Sequence, residues 1–214
     1  MQNQGFIIAR EGIRWILLGA VLTGFMMVLH WTTAAWLFGG LTLFVAFFFR
    51  NPYRRTPQQK GLIIAPADGK ICMITDVVER RFLNQPRKRV SIFMSVLNCH
   101  VNRSPIEGKV IGTHYHPGKF HIASHDKASD FNEQHTILME DDRKNRFVIV
   151  QIAGFVARRI VSYIKEGDLL KCGQRFGLIQ FGSRVDIYLP PQATLRAKEG
   201  QTVRGGETVI GEIL

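Results

Sequence analysis

The feature that most constrains this chain is a stretch of 35 residues between Arg14 and Arg50 that contains no Asp, Glu, Lys or Arg. As one straight helix it would be about 52 Å long, well beyond the roughly 30 Å hydrocarbon core of a bilayer. It divides instead into two apolar runs, Trp15 to Leu29 and Trp31 to Phe49. This pattern predicts an α-helical hairpin that anchors residues 1–50 in a membrane. A buried hairpin in a soluble protein is the alternative.

Basic residues flank both ends of the predicted hairpin. Two arginines precede the first run and three follow the second, namely Arg10, Arg14, Arg50, Arg54 and Arg55. By the positive-inside rule both ends are cytoplasmic, which places residues 51–214 on the cytoplasmic face of the cell membrane. No small-x-small site follows the first run, so a cleaved signal peptide is not expected.

The remainder of the chain has the composition of a basic folded domain. The 214 residues carry 28 Lys plus Arg against 17 Asp plus Glu, and the 46% hydrophobic share excludes a disordered chain. Three cysteines without regular spacing argue against a disulfide scaffold and a structural zinc finger. The basic residues at 80–81 and 87–89 suit either a solvated loop or an anionic membrane surface. Nucleic acid is not an expected partner, because no aromatic-interleaved basic motif accompanies the charge.

Short β-branched runs separated by Gly, Pro and Asp dominate the sequence after Gly61. Seven runs are predicted strands: Leu62 to Ile64, Lys70 to Ile74, Val90 to Phe93, Lys109 to His114, Phe147 to Ile152, Arg159 to Tyr163, and Arg184 to Leu189. Residues 165–173 are similar to residues 198–206, with glycines at matching positions. Such repeats occur in barrel-sandwich modules, although two unrelated surface turns would also explain them. The predicted fold is therefore mainly β, barrel-sandwich-like, and preceded by the helical hairpin.

A Gly-Ser pair, Gly182-Ser183, interrupts an otherwise continuous strand pattern. Glycine inside a strand commonly marks a bulge or a strained bend, although Gly-Ser is also an ordinary turn. Three further motifs precede it in order: Ala65-Pro66-Ala67-Asp68-Gly69-Lys70, the segment Met94 to Pro105 with sequence MSVLNCHVNRSP, and Asn132-Glu133-Gln134. With Arg175-Phe176-Gly177 leading into Phe181-Gly182-Ser183-Arg184, this set resembles the phosphatidylserine decarboxylase family, in its short, archaetidylserine decarboxylase-like form.

The resemblance implies a precursor that cleaves itself between Gly182 and Ser183. The products would be a large chain of residues 1–182 and a small chain of residues 183–214 that stay together as a heterodimer. Ser183 would become a pyruvoyl group, the only cofactor implied, with no metal. A Schiff base between this group and phosphatidylserine would then lose carbon dioxide and yield phosphatidylethanolamine. The implied partners are the membrane and its aminophospholipid, and some short members prefer archaeal lipids.

The resemblance also implies roles for Asp68 and His100, and this chain departs from the family at Arg103. Asp68 and His100 match the pair that activates the serine in the family. Larger members have a second histidine where this chain has Arg103, which could instead bind a phosphate or carboxylate of the substrate. Packed or turn-forming roles are the alternatives for Asp68 and His100.

Three competing interpretations remain open at this point. A membrane-anchored barrel-sandwich adaptor of a transport complex would also combine the hairpin with the repeat, without catalysis. A thiol hydrolase using Cys99 and His100 is a weak hypothesis, since neighbouring residues on a strand point to opposite faces. Five histidines between residues 114 and 135 suggest a metal site, but no acid or cysteine spacing completes one, and a polar substrate-facing loop fits better.

Overall fold

The computed structural model describes residues 7–118, 132–154, 159–180 and 182–213. The chain forms two compact units, Met1–Tyr53 and Arg54–Leu214.

The first unit is a pair of packed helices, α1 (Arg10–Val28) and α2 (Thr32–Phe48). His30, in the turn between them, has a left-handed backbone with φ of 59°. The helices approach closely at Gly19, where a Cβ atom would lie 2.2 Å from Oγ1 of Thr42. Small residues permit such contact between apolar helices. The predicted helical hairpin is confirmed, with its first helix starting five residues before the apolar run.

The outer surfaces of both helices are apolar. Leu17, Val21, Leu37 and Leu43 are 61–73% exposed. By length and composition α1 is able to cross a membrane, whereas α2 is more apolar but has only 17 residues.

The second unit is built from strands. In the described ranges these are β1 Leu62–Ile64, β2 Gly69–Glu79, β3 Gln85–Met94, β4 Val101–Arg103, β5 Gly108–His116, β6 Gln134–Glu140, β7 Arg146–Ala153, β8 Ile160–Ser162, β9 Leu169–Leu170, β10 Arg175–Ile179, β11 Ser183–Leu189, β12 Thr194–Leu195, β13 Thr202–Val203 and β14 Val209–Glu212. All seven predicted strands are present and the mainly β fold is confirmed. The prediction omitted the other seven strands of the described ranges, β4, β6, β9, β10, β12, β13 and β14. The longest of these, β6, is buried almost throughout although it begins with polar residues.

An eight-stranded sheet positions the Gly-Ser pair. Its order is β13-β2-β3-β11-β7-β6-β5-β9, and two three-stranded sheets, β1-β14-β12 and β4-β10-β8, accompany it. Strand β11 lies between β3 and β7, antiparallel to both, with Ser183 opposite Met94 and Ala153. Along β11, Val185 and Ile187 alternate into the main hydrophobic core. The first residue of β11 is therefore held from both sides.

The two similar segments, residues 165–173 and 198–206, adopt the same turn. Gly167 and Gly200 both have left-handed backbones, with φ of 94° and 81°. The strand in each copy pairs with the start of a long strand, β9 with β5 and β13 with β2. The two segments are therefore similar in structure as well as in sequence, which identifies them as a repeat rather than as two unrelated surface turns.

A second repeat completes this duplication. Residues 65–71 (APADGKI) and 104–110 (SPIEGKV) are similar in sequence. The carbonyl of Ala65 accepts a hydrogen bond from the N–H of Gly206 at 2.9 Å, and the carbonyl of Ser104 accepts one from the N–H of Gly173 at 2.8 Å. Asp68 and Glu107 therefore occupy equivalent positions in the two halves.

Candidate active site

The Gly182-Ser183 bond lies at the point where β11 begins. Gly182 has a φ of 53°, a left-handed conformation that L side chains rarely adopt, although a Cβ atom there would meet nothing within 4 Å. The glycine is therefore required by the backbone rather than by space. Ser183 is fully buried, and its hydroxyl has no hydrogen-bond partner among the described residues. A buried hydroxyl without a partner is unfavourable by about 1–3 kcal/mol, so it calls for a functional explanation.

His100 follows a turn that starts beside Ser183. Met94 lies opposite Ser183, and the N–H and hydroxyl of Ser95 both donate to Oδ1 of Asn98, at 2.9 and 2.8 Å. The His100 ring is 2% exposed and its Nδ1 is 3.0 Å from the carbonyl oxygen of Asn98. Because a carbonyl only accepts, Nδ1 carries the proton and Nε2 is the basic nitrogen of the neutral ring.

Backbone contacts place His100 against β10, the strand that precedes the Gly-Ser pair. The carbonyl of His100 accepts a hydrogen bond from the N–H of Ile179 at 3.3 Å, three residues before Gly182. The strand after His100, β4, continues this pairing with β10. The structure therefore brings His100 and the Gly182-Ser183 bond into one region.

Asp68 lies in a buried ion pair. Its Oδ2 accepts from Nη2 of Arg54 at 2.7 Å, and its Oδ1 accepts from the backbone N–H of Gly205 at 2.7 Å. Burial lowers the pKa of Arg54, but the charge of Asp68 opposes this and the net shift is upward. Among the described residues the hydrogen bonds of Asp68 go to these two groups and not to His100. Glu107, its counterpart in the other half, is exposed.

Arg103 connects the Asp68 turn to β4. Its backbone N–H donates to the carbonyl of Pro66 at 2.8 Å, and its Nη1 donates to the carbonyl of Gly173 at 3.1 Å. Only 9% of Arg103 is exposed, and burial is the main cause of the lowered pKa of this guanidinium. The predicted role of Arg103 in substrate binding remains a prediction.

A buried polar chain that the sequence patterns did not predict runs from β4 to β6. Nε2 of Gln151 donates to Oδ1 of Asn102 at 2.7 Å, and Oε1 of Gln151 lies 3.2 Å from Nδ1 of His135. Because Nε2 of Gln151 already donates to Asn102, the atom that faces His135 is the oxygen Oε1, which can only accept. Nδ1 of His135 therefore carries the proton. Burial lowers the pKa of His135 despite that hydrogen bond. In the sequence, His135 is marked only as one of the five clustered histidines and by its place directly after the Asn-Glu-Gln motif.

The Asn-Glu-Gln motif itself holds the end of β7. The side-chain amide of Asn132 donates to the carbonyl of Ala153 at 2.7 Å, and Ala153 lies opposite Ser183. Oε1 of Glu133 accepts from the hydroxyl of Tyr115 at 3.0 Å and from the N–H of Ile160 at 3.2 Å. The motif thus positions the strand next to the serine.

The predicted basic surface at residues 87–89 is wrong as a continuous exposed patch. Arg87 and Arg89 are only 8% and 5% exposed within β3, and Lys88 pairs with Asp76 at 2.9 Å.

Within the described ranges no group of three or more His, Cys, Asp or Glu side chains is arranged to hold a metal ion. His121 and His125, part of the histidine-rich segment, lie outside those ranges.

Comparisons with known proteins agree with the motifs. The family model described as phosphatidylserine decarboxylase matches residues 41–211. A phosphatidylserine decarboxylase proenzyme of Syntrophotalea carbinolica is 47% identical over 211 residues, 99% of each chain. That of Geotalea uraniireducens is 43% identical over the same coverage, and that of Ruegeria pomeroyi is 45% identical over 95% of this chain and 94% of its own.

These matches extend over almost the entire chain, including the Gly182-Ser183 pair and both halves of the duplication. They favour an enzyme over a non-catalytic adaptor. The chain belongs to the phosphatidylserine decarboxylase family.

Proposed function

We propose that this chain is a precursor that cleaves itself between Gly182 and Ser183 and then decarboxylates phosphatidylserine to phosphatidylethanolamine by means of the resulting pyruvoyl group. The observation that carries the proposal is the Ser183 hydroxyl. It is buried without a partner in the described structure, directly follows a left-handed glycine, and lies in the region that contains His100. These are the requirements of an activated hydroxyl nucleophile beside a strained carbonyl.

The self-cleavage uses groups of the chain itself. Nε2 of His100 accepts the proton of the Ser183 hydroxyl while Oγ attacks the carbonyl carbon of Gly182, and the proton then passes to the departing Ser183 nitrogen. The product is an ester with a free amine. Elimination across the Cα–Cβ bond releases the large chain as a carboxylic acid and leaves a dehydroalanine, which water converts to a pyruvoyl group and ammonia.

Asp68 acts in this scheme as a positioning residue. Its carboxylate holds Arg54 and the N–H of Gly205, which fixes the turn whose Pro66 carbonyl binds the N–H of Arg103. That turn supports the strand that follows His100. The contribution of Asp68 to the base is therefore the location of His100.

The predicted cleavage leaves both products within one sheet system. Strand β11 of the small chain, residues 183–214, pairs with β3 and β7 of the large chain, residues 1–182. Strands β13 and β14 of the small chain pair with β2 and β1. These pairings support a stable heterodimer.

The residues present fit a pyruvoyl group at position 183. The group is small and uncharged, and the serine it replaces is buried with no competing hydrogen bond in the described ranges. When present, the pyruvoyl carbonyl supplies the electron sink for decarboxylation. The chain itself holds this position between β3 and β7 and supplies His100 and the His135–Gln151–Asn102 chain as nearby polar groups.

The proposed place of action is the cytoplasmic face of the cell membrane. The apolar outer surfaces of α1 and α2 suit hydrocarbon rather than water. Arginines lie before α1 and after α2, so the positive-inside rule favours cytoplasmic ends.

Mass spectrometry of the denatured protein tests the proposal. The expected result is a small chain of residues 183–214 with a pyruvoyl amino end, and release of carbon dioxide from phosphatidylserine. Ser183→Ala should abolish both, whereas Ser91→Ala is a matched control, because Ser91 is also a buried serine whose hydroxyl has no partner in the described residues. A folded but intact wild-type chain would contradict the proposal.

A further inference from the structure

The end of the large sheet at which β11 begins is rich in exposed apolar side chains. Among the described residues of Arg54–Leu214, the exposed large hydrophobic residues are Val78 (46%), Val96 (39%), Leu97 (63%), Tyr115 (55%) and Leu169 (78%). Three of these five, Val96, Leu97 and Tyr115, lie at that end. Single exposed apolar residues are ordinary, but a concentration at one end of a sheet is not.

Strand register places these residues near the reacting position. Met94 is opposite Ser183, and Leu97 follows it by three residues, so their Cα atoms are at most about 17 Å from that of Ser183. Tyr115 lies opposite His135, which lies opposite Gln151 on the strand next to β11. Leu97 and Tyr115 therefore lie at the same end of the sheet, the end where β11 begins.

The turn that carries Val96 and Leu97 is internally fixed. The N–H of Asn98 donates to the carbonyl of Ser95 at 2.9 Å, and the Asn98 side chain accepts two hydrogen bonds from Ser95. The two central positions of such a turn normally carry polar residues or glycine. Here they present two aliphatic side chains outward on a rigid support, which suits an apolar phase rather than water.

The same end of the sheet carries groups that suit the headgroup layer. Tyr115 is exposed, but its hydroxyl donates to Glu133, and an amphipathic ring of this kind is typical of a membrane interface. Arg159 is exposed, and its carbonyl accepts from the N–H of Gln180, three residues before Ser183. Arginine at this level can bind phosphate oxygens.

We propose that residues 95–98 form an insertion turn that places Val96 and Leu97 in the bilayer interface, with Tyr115 and Arg159 among the headgroups. The inference rests on the proposed function, because the reacting position must reach a lipid headgroup whose acyl chains stay in the bilayer. The headgroup layer is only about 5–8 Å thick on each side. We therefore expect exposed side chains near position 183 to contact it.

Fluorescence quenching tests insertion without relying on activity. The full-length chain with Leu97→Cys, labelled with an environment-sensitive fluorophore, is reconstituted into phosphatidylcholine–phosphatidylserine vesicles containing lipids with acyl-chain nitroxides. Leu169→Cys is the matched control, since Leu169 is more exposed but lies opposite Lys109, at the other end of β5 from Tyr115. Both variants carry Cys72→Ser and Cys172→Ser. Quenching at position 97 well above that at 169 is expected, and equal quenching would overturn the proposal.

Activity on two substrates provides the second arm. Val96→Ser with Leu97→Ser should lower kcat/KM on vesicle phosphatidylserine about tenfold, because less apolar surface enters the interface. It should leave self-cleavage and activity on a water-soluble short-chain phosphatidylserine unchanged, as should Leu169→Ser on either substrate. Equal losses on both substrates, or no loss on vesicles, would contradict insertion. Strong quenching in the labelled Leu97→Cys chain, together with a wild-type chain that releases no carbon dioxide, would refute the proposed function and still support the insertion turn.

Discussion

Replacing Asp68 by Asn tests the link between the buried ion pair and self-cleavage. The side chains of Arg54 and Asp68 are only 9% and 15% exposed, and their nitrogen and oxygen atoms are 2.7 Å apart. Removing one partner of a buried pair typically lowers the free energy of unfolding by about 3–5 kcal/mol. Two features reduce this figure, because Glu207 lies 3.4 Å from Arg54 and an Asn oxygen can still accept from Gly205. We therefore expect a loss of about 2–3 kcal/mol.

The assay follows appearance of the small chain after cell-free synthesis, together with denaturant unfolding of the product. Asp68→Asn should slow cleavage at least about tenfold. Weakening the turn that contains Asp68 by only part of the expected loss of unfolding free energy is enough to displace His100 from its reactive position. Glu107→Gln removes a carboxylate at the equivalent, exposed position and should change stability by less than about 0.5 kcal/mol.

A double-mutant cycle separates the ion pair from other effects of the substitution. Asp68→Asn combined with Arg54→Met should be less destabilised than the sum of the single variants, by about 1–3 kcal/mol, because no buried charge is left without its partner. Unchanged cleavage in Asp68→Asn, or equal effects in Asp68→Asn and Glu107→Gln, would refute this reasoning.

Three further predictions concern Cys99, Gly182 and His135. Cys99→Ser should retain cleavage, measured by mass spectrometry, and decarboxylation, measured by carbon dioxide release. Loss of both activities would instead support the thiol mechanism. Gly182→Ala should slow cleavage and lower the free energy of unfolding by about 1–2 kcal/mol, because φ of 53° is unfavourable for alanine even where space is free; a normal rate of small-chain formation would argue against backbone strain. Burial lowers the pKa of His135, so the unfolded state binds more protons than the folded state below about pH 6.5, and stability should fall as pH is lowered from there towards the folded pKa. His135→Gln should flatten that dependence in denaturant titrations at several pH values, and an unchanged slope would remove His135 as its source.

The sequence by itself determined the features that depend on neighbouring residues. The charge-free stretch predicted the helix pair, the β-branched runs predicted seven strands, and ordered motifs predicted the family. These signals are local, because hydrophobic period and turn chemistry act over a few residues. The strand at residues 134–140 escaped prediction because its polar first residues are buried by tertiary contacts rather than by an alternating pattern.

Only the tertiary structure decided which polar groups meet. Asp68 binds the N–H of Gly205, which is 137 residues away, and Gln151 joins Asn102 to His135 across three strands. Arg87 and Arg89 look like surface charges in the sequence but are buried within β3. Strand pairing brings these distant segments together, and burial then fixes charge, tautomer and pKa. Those properties depend on the surrounding dielectric and on partners that no local pattern specifies.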